Sequence, residues 1–146
     1  MRFVLDASVA LLWLVPQTNP SGMDYADAVL ISLKESQAVV PSLFALETAN
    51  VVAKVESRGV VTEADSQRFI SLLGKLNIAT DPETMTRALG DTLNLARRYK
   101  LSAYDAAYLE LALRTGLSLS TLDADLAKVA TSAGVPIFGT HATVRQ

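Results

Sequence analysis

Four acids, Asp6, Glu47, Asp105 and Asp123, sit where carboxylates could do chemistry. Asp6 ends the apolar run Arg2-Phe3-Val4-Leu5, and Asp123 ends a second run, Leu117 to Leu122. Asp105 follows Ser102 by three residues, the place of a capping-box acid. Glu47, Asn50 and Lys54 form a narrow polar stripe on the otherwise apolar stretch Leu43 to Val55, at roughly 100° per residue. Each has an ordinary explanation. Asp105 caps a helix and complements its dipole, and Glu47 and Lys54 are charges on a solvated face. Brought together, however, four acids repel unless they are protonated or bridged by cations. The chain has no cysteine and one histidine, His141, which excludes thiolate and multi-imidazole zinc sites. An all-oxygen set favours hard ions, Mg²⁺ or Mn²⁺. Such ions activate water and shield phosphate, so metal-dependent phosphodiester hydrolysis is the chemistry these residue types would serve.

The hydrophobic pattern supplies the elements that must position the acids. Arg2 to Leu5 reads as a buried strand, followed by a short helix, Val9 to Leu14, capped by Asp6 or Ser8. A Pro- and Gly-bearing loop, Val15 to Gly22, precedes an amphipathic helix over Met23 to Glu35. Ala38 to Val40 is a second strand, stopped by Pro41. Ser42 is placed to cap a helix to Ser57, with Gly59 as its stop. Thr62 to Asp65 signals another helix, through Leu73. Leu76 to Thr80 is a third strand. Asp81 to Tyr99 is a helical region, with Gly90 as a break or close contact. The Ser102 helix runs to Thr115-Gly116, with Ala106, Ala107, Leu109, Leu111 and Leu113 as its packing residues. Leu117 to Leu122 is the fourth strand, Asp123 opens a helix to Gly134, and Val135 to Phe138 is a last strand. This alternation predicts one α/β domain over residues 1–146, a central parallel sheet flanked by helices. In such a sheet functional groups collect beyond the carboxyl ends of the strands.

Bulk properties narrow the classes. Of 146 residues half are hydrophobic, and mean hydropathy is +0.28, which excludes a largely disordered chain. The formal charge is −2, so no global basic field announces a nucleic-acid partner. Asp6 and Ser8 interrupt the first apolar run, no signal-peptidase pattern precedes Pro16, and the run falls short of the ~20 residues of a membrane span. A soluble, cytoplasmic protein with no membrane association is expected.

Four segments then acquire a joint meaning: Val4-Leu5-Asp6-Ala7-Ser8, Glu47-Thr48-Ala49-Asn50, Leu101-Ser102-Ala103-Tyr104-Asp105-Ala106-Ala107-Tyr108 and Ser120-Thr121-Leu122-Asp123. In this order they resemble the signature segments of PIN-domain ribonucleases, particularly bacterial VapC-type toxins, across almost the whole chain. The resemblance implies a Mg²⁺- or Mn²⁺-dependent endoribonuclease, homodimeric and held inactive by a small VapB-like antitoxin. It assigns metal coordination to Asp6, Glu47, Asp105 and Asp123. It makes Thr121 a hydrogen-bonding partner of the acids or the scissile phosphate. Ser8 and Asn50 become candidates to orient the acids, and Asp125 ranks below the four.

Other residues carry weaker signals. Arg97-Arg98-Tyr99-Lys100 could meet RNA phosphates, but a solvated helix end complementing the dipole is the simpler reading. Trp13, Phe44 and Phe69 read as packing residues, Leu11, Leu12 and Trp13 as a dimer or antitoxin surface, and His141 as exposed tail. Phosphoryl transfer of the haloacid-dehalogenase type needs a second acid two residues after the first, where Ser8 stands. A response-regulator receiver needs an acidic pair where only Asp6 is found. The alternatives left open are a catalytically inert PIN-like partner-binding module and a PIN nuclease of RNA processing without an antitoxin.

Overall fold

The computed structural model describes residues 1–139. Four parallel strands form the sheet: β1 (Arg2–Leu5), β2 (Gln37–Val40), β3 (Ile78–Thr80) and β4 (Ser118–Ser120), in the order β3-β2-β1-β4. Phe3, Val4 and Leu5 are fully buried and their neighbours Ala38, Val39, Val40 and Leu119 nearly so. Such continuous apolar runs suit strands covered on both faces. Helices α1 (Ala7–Ala10), α2 (Met23–Ser32), α3 (Phe44–Ser57), α4 (Glu63–Lys75), α5 (Thr84–Arg87), α6 (Leu93–Tyr99), α7 (Ala103–Thr115) and α8 (Ala124–Ser132) flank the sheet.

Connections from β1 lead outward to β2 and β3, and the chain then returns to the other side of β1 as β4. The strand order therefore reverses between β1 and β4, where a parallel sheet opens a crevice at its carboxyl edge. α7 feeds β4 through Gly116, whose positive φ of 69° suits the tight turn. Running antiparallel to β4, it has its first turn at that same edge. Its residues Ala106 to Ala112 are all buried, which makes it the central helix of the core.

Several expectations change in detail. The helix after β1 is one α-turn, continued by a 3₁₀ turn over Leu11–Trp13. Asp6 is its N-cap residue, but its side chain makes no capping bond. Ser42 does not cap α3, which begins after Leu43. The Ser42 amide instead donates to Thr84 Oγ1 at 3.0 Å. The buried face of α3 is Phe44, Thr48 and Val52, while Ala45, Leu46, Ala49 and Ala53 lie exposed. Its polar stripe is thus not the gap in a packed apolar surface that the sequence suggested. Leu113 is likewise 41 % exposed, because α7 leaves the core in its last turn. The helical region after Asp81 divides into α5, a π-helical turn over Ala88–Thr92 and α6. Gly90 sits in the π turn with open space where a Cβ would be, so it marks a break and not a close contact. Val135 to Phe138 shortens to a single parallel bridge, Leu119 to Ile137; Pro136 has no N–H for a longer ladder. At Thr62 the capping box is complete: Thr62 Oγ1 accepts from the Asp65 amide at 3.1 Å, and Asp65 Oδ2 accepts from the Thr62 amide at 2.9 Å.

Candidate active site

Asp6, Glu47, Asp105 and Asp123 line one open cavity of about 540 Å³ at the carboxyl edge of the sheet, with Ser8 and Asn50. Each arrives by a different route. Asp6 follows β1, its amide bonded to Ser120 O at 2.9 Å. Glu47 lies in the first turn of α3, beyond β2. Asp105 lies in the first turn of α7, where Ser102 Oγ accepts from its amide at 3.1 Å. Asp123 caps α8, its Oδ1 accepting from the Leu126 amide at 3.0 Å. The capping reading holds for Asp123; at α7 the cap is Ser102, to which Asp105 contributes its amide. The Asp105 and Asp123 carboxyls nevertheless share a cavity with Asp6 and Glu47.

Beneath the cavity floor, hydroxyls fix Asp6. Ser8 Oγ donates to Asp6 Oδ2 at 2.6 Å, and Thr121 Oγ1 donates to the same oxygen at 2.8 Å. Each hydroxyl has a single proton, and both are given to this one oxygen. The two hydroxyls accept in turn from backbone amides: Ser8 from Leu122 at 3.0 Å, and Thr121 from Asp123 at 3.0 Å. This web ties the end of β4 to the start of α1 and explains why β4 stops at Ser120. Thr121 is 5 % exposed and meets the acids from below.

Asp6, Glu47 and Asp105 all have pKa values raised above the ordinary carboxylate range. Burial is the largest cause for each. Against it, Ser8 and Thr121 pull Asp6 down and Tyr108 pulls Glu47 down, while the Asp123 charge raises Asp6 and the Asp6 and Asp105 charges raise Glu47. Asp105 is pushed up to about 6, by burial first and then by the charges of Asp123, Asp6 and Asp125. Among the described residues lining the cavity there is no lysine or arginine. Nor, among the described residues, do three acids, histidines or cysteines stand close enough to close round one ion as placed. The donor chemistry fits a hard divalent cation: carboxylate oxygens with Asn50 beside them, sharing one cavity and feeling one another's charge.

Other sequence-derived candidates fall elsewhere. Asp125 is exposed and outside the cavity lining, and it reaches the site only through its charge on Asp105. Arg97, Arg98 and Lys100 are exposed at the end of α6 and outside the cavity lining. Phe44 and Phe69 are buried at 7 % and 3 % exposure, as packing residues should be. Leu12 is buried and offers little partner surface, while Trp13 is half-buried and its indole donates to Ala26 O at 2.9 Å. Leu11 alone of that trio lines the acidic cavity. His141 lies outside the described residues. Sequence reasoning gave no role to Tyr108, whose hydroxyl donates to Glu47 Oε1 at 2.6 Å. Its position three residues after Asp105, on the same helix and among Ala and Leu at 106–109, was the available signal.

Comparison with known proteins places this architecture in context. Residues 3–132 match the family model for the PIN domain. Ribonuclease VapC3 of Pyrobaculum aerophilum is 30 % identical over 128 residues, which span 88 % of this chain and 94 % of that protein. The crystal structure of PAE2754 from Pyrobaculum aerophilum superposes with a TM-score of 0.66 at 21 % identity, covering 98 % of this chain and 88 % of that one. At that identity the likeness speaks for the fold alone.

Proposed function

The chain belongs to the PIN-domain family, and from that premise we propose that it is a Mg²⁺- or Mn²⁺-dependent endoribonuclease, the toxin of a VapBC-type toxin–antitoxin pair. One observation carries the reading: four carboxylates line one cavity at the switch in strand order with no basic side chain among the described lining residues. The ribonuclease name of the 30 % identical relative supports the choice of RNA as substrate.

On this reading Asp6, Glu47, Asp105 and Asp123 hold the metal. A divalent ion bound there supplies an activated water and shields the phosphate from the acidic walls. The chain's own groups prepare for it. Ser8 and Thr121 hold Asp6 in one orientation by donating both protons to Oδ2 and partly offset the burial that raises its pKa. The Leu126 amide fixes the Asp123 carboxylate. Asp105, at about 6, is largely ionised at neutral pH and protonated in mild acid. Leu11, Leu43, Leu46 and Val51 line the cavity with apolar surface beside the acids. The same reading gives a cytoplasmic homodimer silenced by a VapB-like antitoxin. No helix among the described residues is long and apolar enough to cross a membrane.

The test is cleavage of a mixed panel of labelled structured and single-stranded RNAs by the purified protein with Mn²⁺, with chelator, and beside Asp6→Asn. Metal-dependent cutting that disappears in the variant is expected. Equal cutting by both proteins would point to a contaminating nuclease. No cutting by antitoxin-free, metal-loaded protein on any RNA would favour the inert binding module.

A further inference from the structure

We propose that Tyr108 is the positioning residue for Glu47, its phenol holding that carboxylate at the cavity wall where a divalent cation would meet it. The inference deepens the nuclease reading and rests on it. Tyr108 has no exposed surface, and its hydroxyl donates to Glu47 Oε1 at 2.6 Å, the short distance of a bond to a charged acceptor. Among the described residues no lysine or arginine pairs with Glu47. The charges of Asp6 and Asp105 act against Glu47, and a glutamate with three free torsions would swing away from them into solvent. Holding it in one rotamer opposes both that repulsion and the entropy of ordering a long side chain. Because Tyr108 lies three residues after Asp105 on α7, this helix supplies one cavity acid directly and fixes a second one on α3.

A buried phenol also needs an acceptor for its own sake, so the test must separate positioning from stability. Tyr108→Phe keeps the ring and removes only the hydroxyl. The expected result is Mn²⁺ affinity by calorimetry, with the metal alone, weakened about 10- to 100-fold. The Mn²⁺ concentration for half-maximal cleavage rises by the same factor, while KM for RNA at saturating Mn²⁺ is unchanged. Placed in a Glu47→Ala background, Tyr108→Phe causes no further loss of Mn²⁺ affinity, the non-additivity of groups acting as one unit. A Tyr108→Phe chain with lowered Tm but wild-type Mn²⁺ affinity overturns the proposal and leaves the bond a core contact. Equal loss in both backgrounds overturns it too. If the wild-type chain neither binds Mn²⁺ nor cleaves RNA, the nuclease reading itself fails. If it does both and Tyr108→Phe is unaffected, only the role of Tyr108 fails.

Discussion

The molecule holds two clusters of carboxylates, and they are built on opposite principles. Around the cavity, Asp6, Glu47, Asp105 and Asp123 have no basic side chain among their described companions. At the other, Asp81 and Glu110, 6 % and 4 % exposed, close on Arg114. Arg114 donates to Glu110 Oε2 at 2.7 Å through Nε and to Asp81 Oδ2 at 2.6 Å through Nη2, with Glu83 at 3.6 Å. Thr84 Oγ1 donates to Asp81 Oδ2 at 3.0 Å and receives the Ser42 amide. The pKa directions diverge accordingly. Burial would raise Asp81, but bonds from Arg114, the Glu83 amide and Thr84 outweigh it and hold Asp81 low. Arg114 itself is raised by its bonds to Glu110 and Asp81. Buried acids with a cation supplied by the chain stitch β3 to α5 and α7. The cavity acids, of which Asp6 alone is buried, have no such cation from the chain among the described lining residues.

The largest effect that could break this contrast is expected at Arg114. Arg114→Ala leaves Asp81 and Glu110 buried without a cation and lowers stability by about 3–5 kcal/mol, read from urea unfolding. A loss no larger than that of a surface ion pair, below about 1 kcal/mol, would mean that the cluster is ornamental.

A smaller effect is expected in the pH profile of the metal-free chain. Asp105 stands at about 6 when folded and near 3.9 when unfolded. Between these values the folded state binds the extra proton, so stability falls as pH rises from about 4 to about 6. Raised Asp6 and Glu47 add to the same slope. For Asp81 the sign is reversed: its contribution is present above about 3.9 and is lost only as pH falls through its lowered folded value. Urea unfolding in chelator should therefore give a chain more stable at pH 5 than at pH 7, by less than about 1 kcal/mol because solvent screens the partly exposed Asp105. A stability that climbs over this interval would contradict the repulsive picture of the cavity.

These two regions were unequally legible in the sequence. Asp6 and Asp123 announce themselves because each closes an expected strand, and strand ends in a parallel sheet face the crevice. Ser102 and Asp105 show through local capping chemistry, as do Thr62 and Asp65. The Arg114 cluster shows no such sign. Asp81, Glu83, Glu110 and Arg114 join three elements, and Glu110 with Arg114 at i,i+4 reads as an ordinary exposed pair. Its burial is set by how α7 threads the core. Tyr108 is similar: its partner stands 61 residues away. The buried face of α3 was misjudged because exposed Ala45, Leu46, Ala49 and Ala53 look the same in sequence as packed residues. The short last strand was overread where Pro136 limits the ladder.

The proposed completion of the acidic cavity by a divalent cation separates the two clusters. Its most direct test is thermal unfolding of the wild-type chain and of Asp105→Asn at pH 7, in chelator and across a Mn²⁺ titration. In chelator, removing one repelling charge should leave Asp105→Asn as stable as the wild type or more so. With Mn²⁺ the wild-type Tm should climb, toward about 2.7 kcal/mol of stabilisation at a hundred times its Kd, while the variant gains far less. An Asp105→Asn chain that is weaker in chelator, beside a wild type indifferent to Mn²⁺, would show that Asp105 serves only the first turn of its helix.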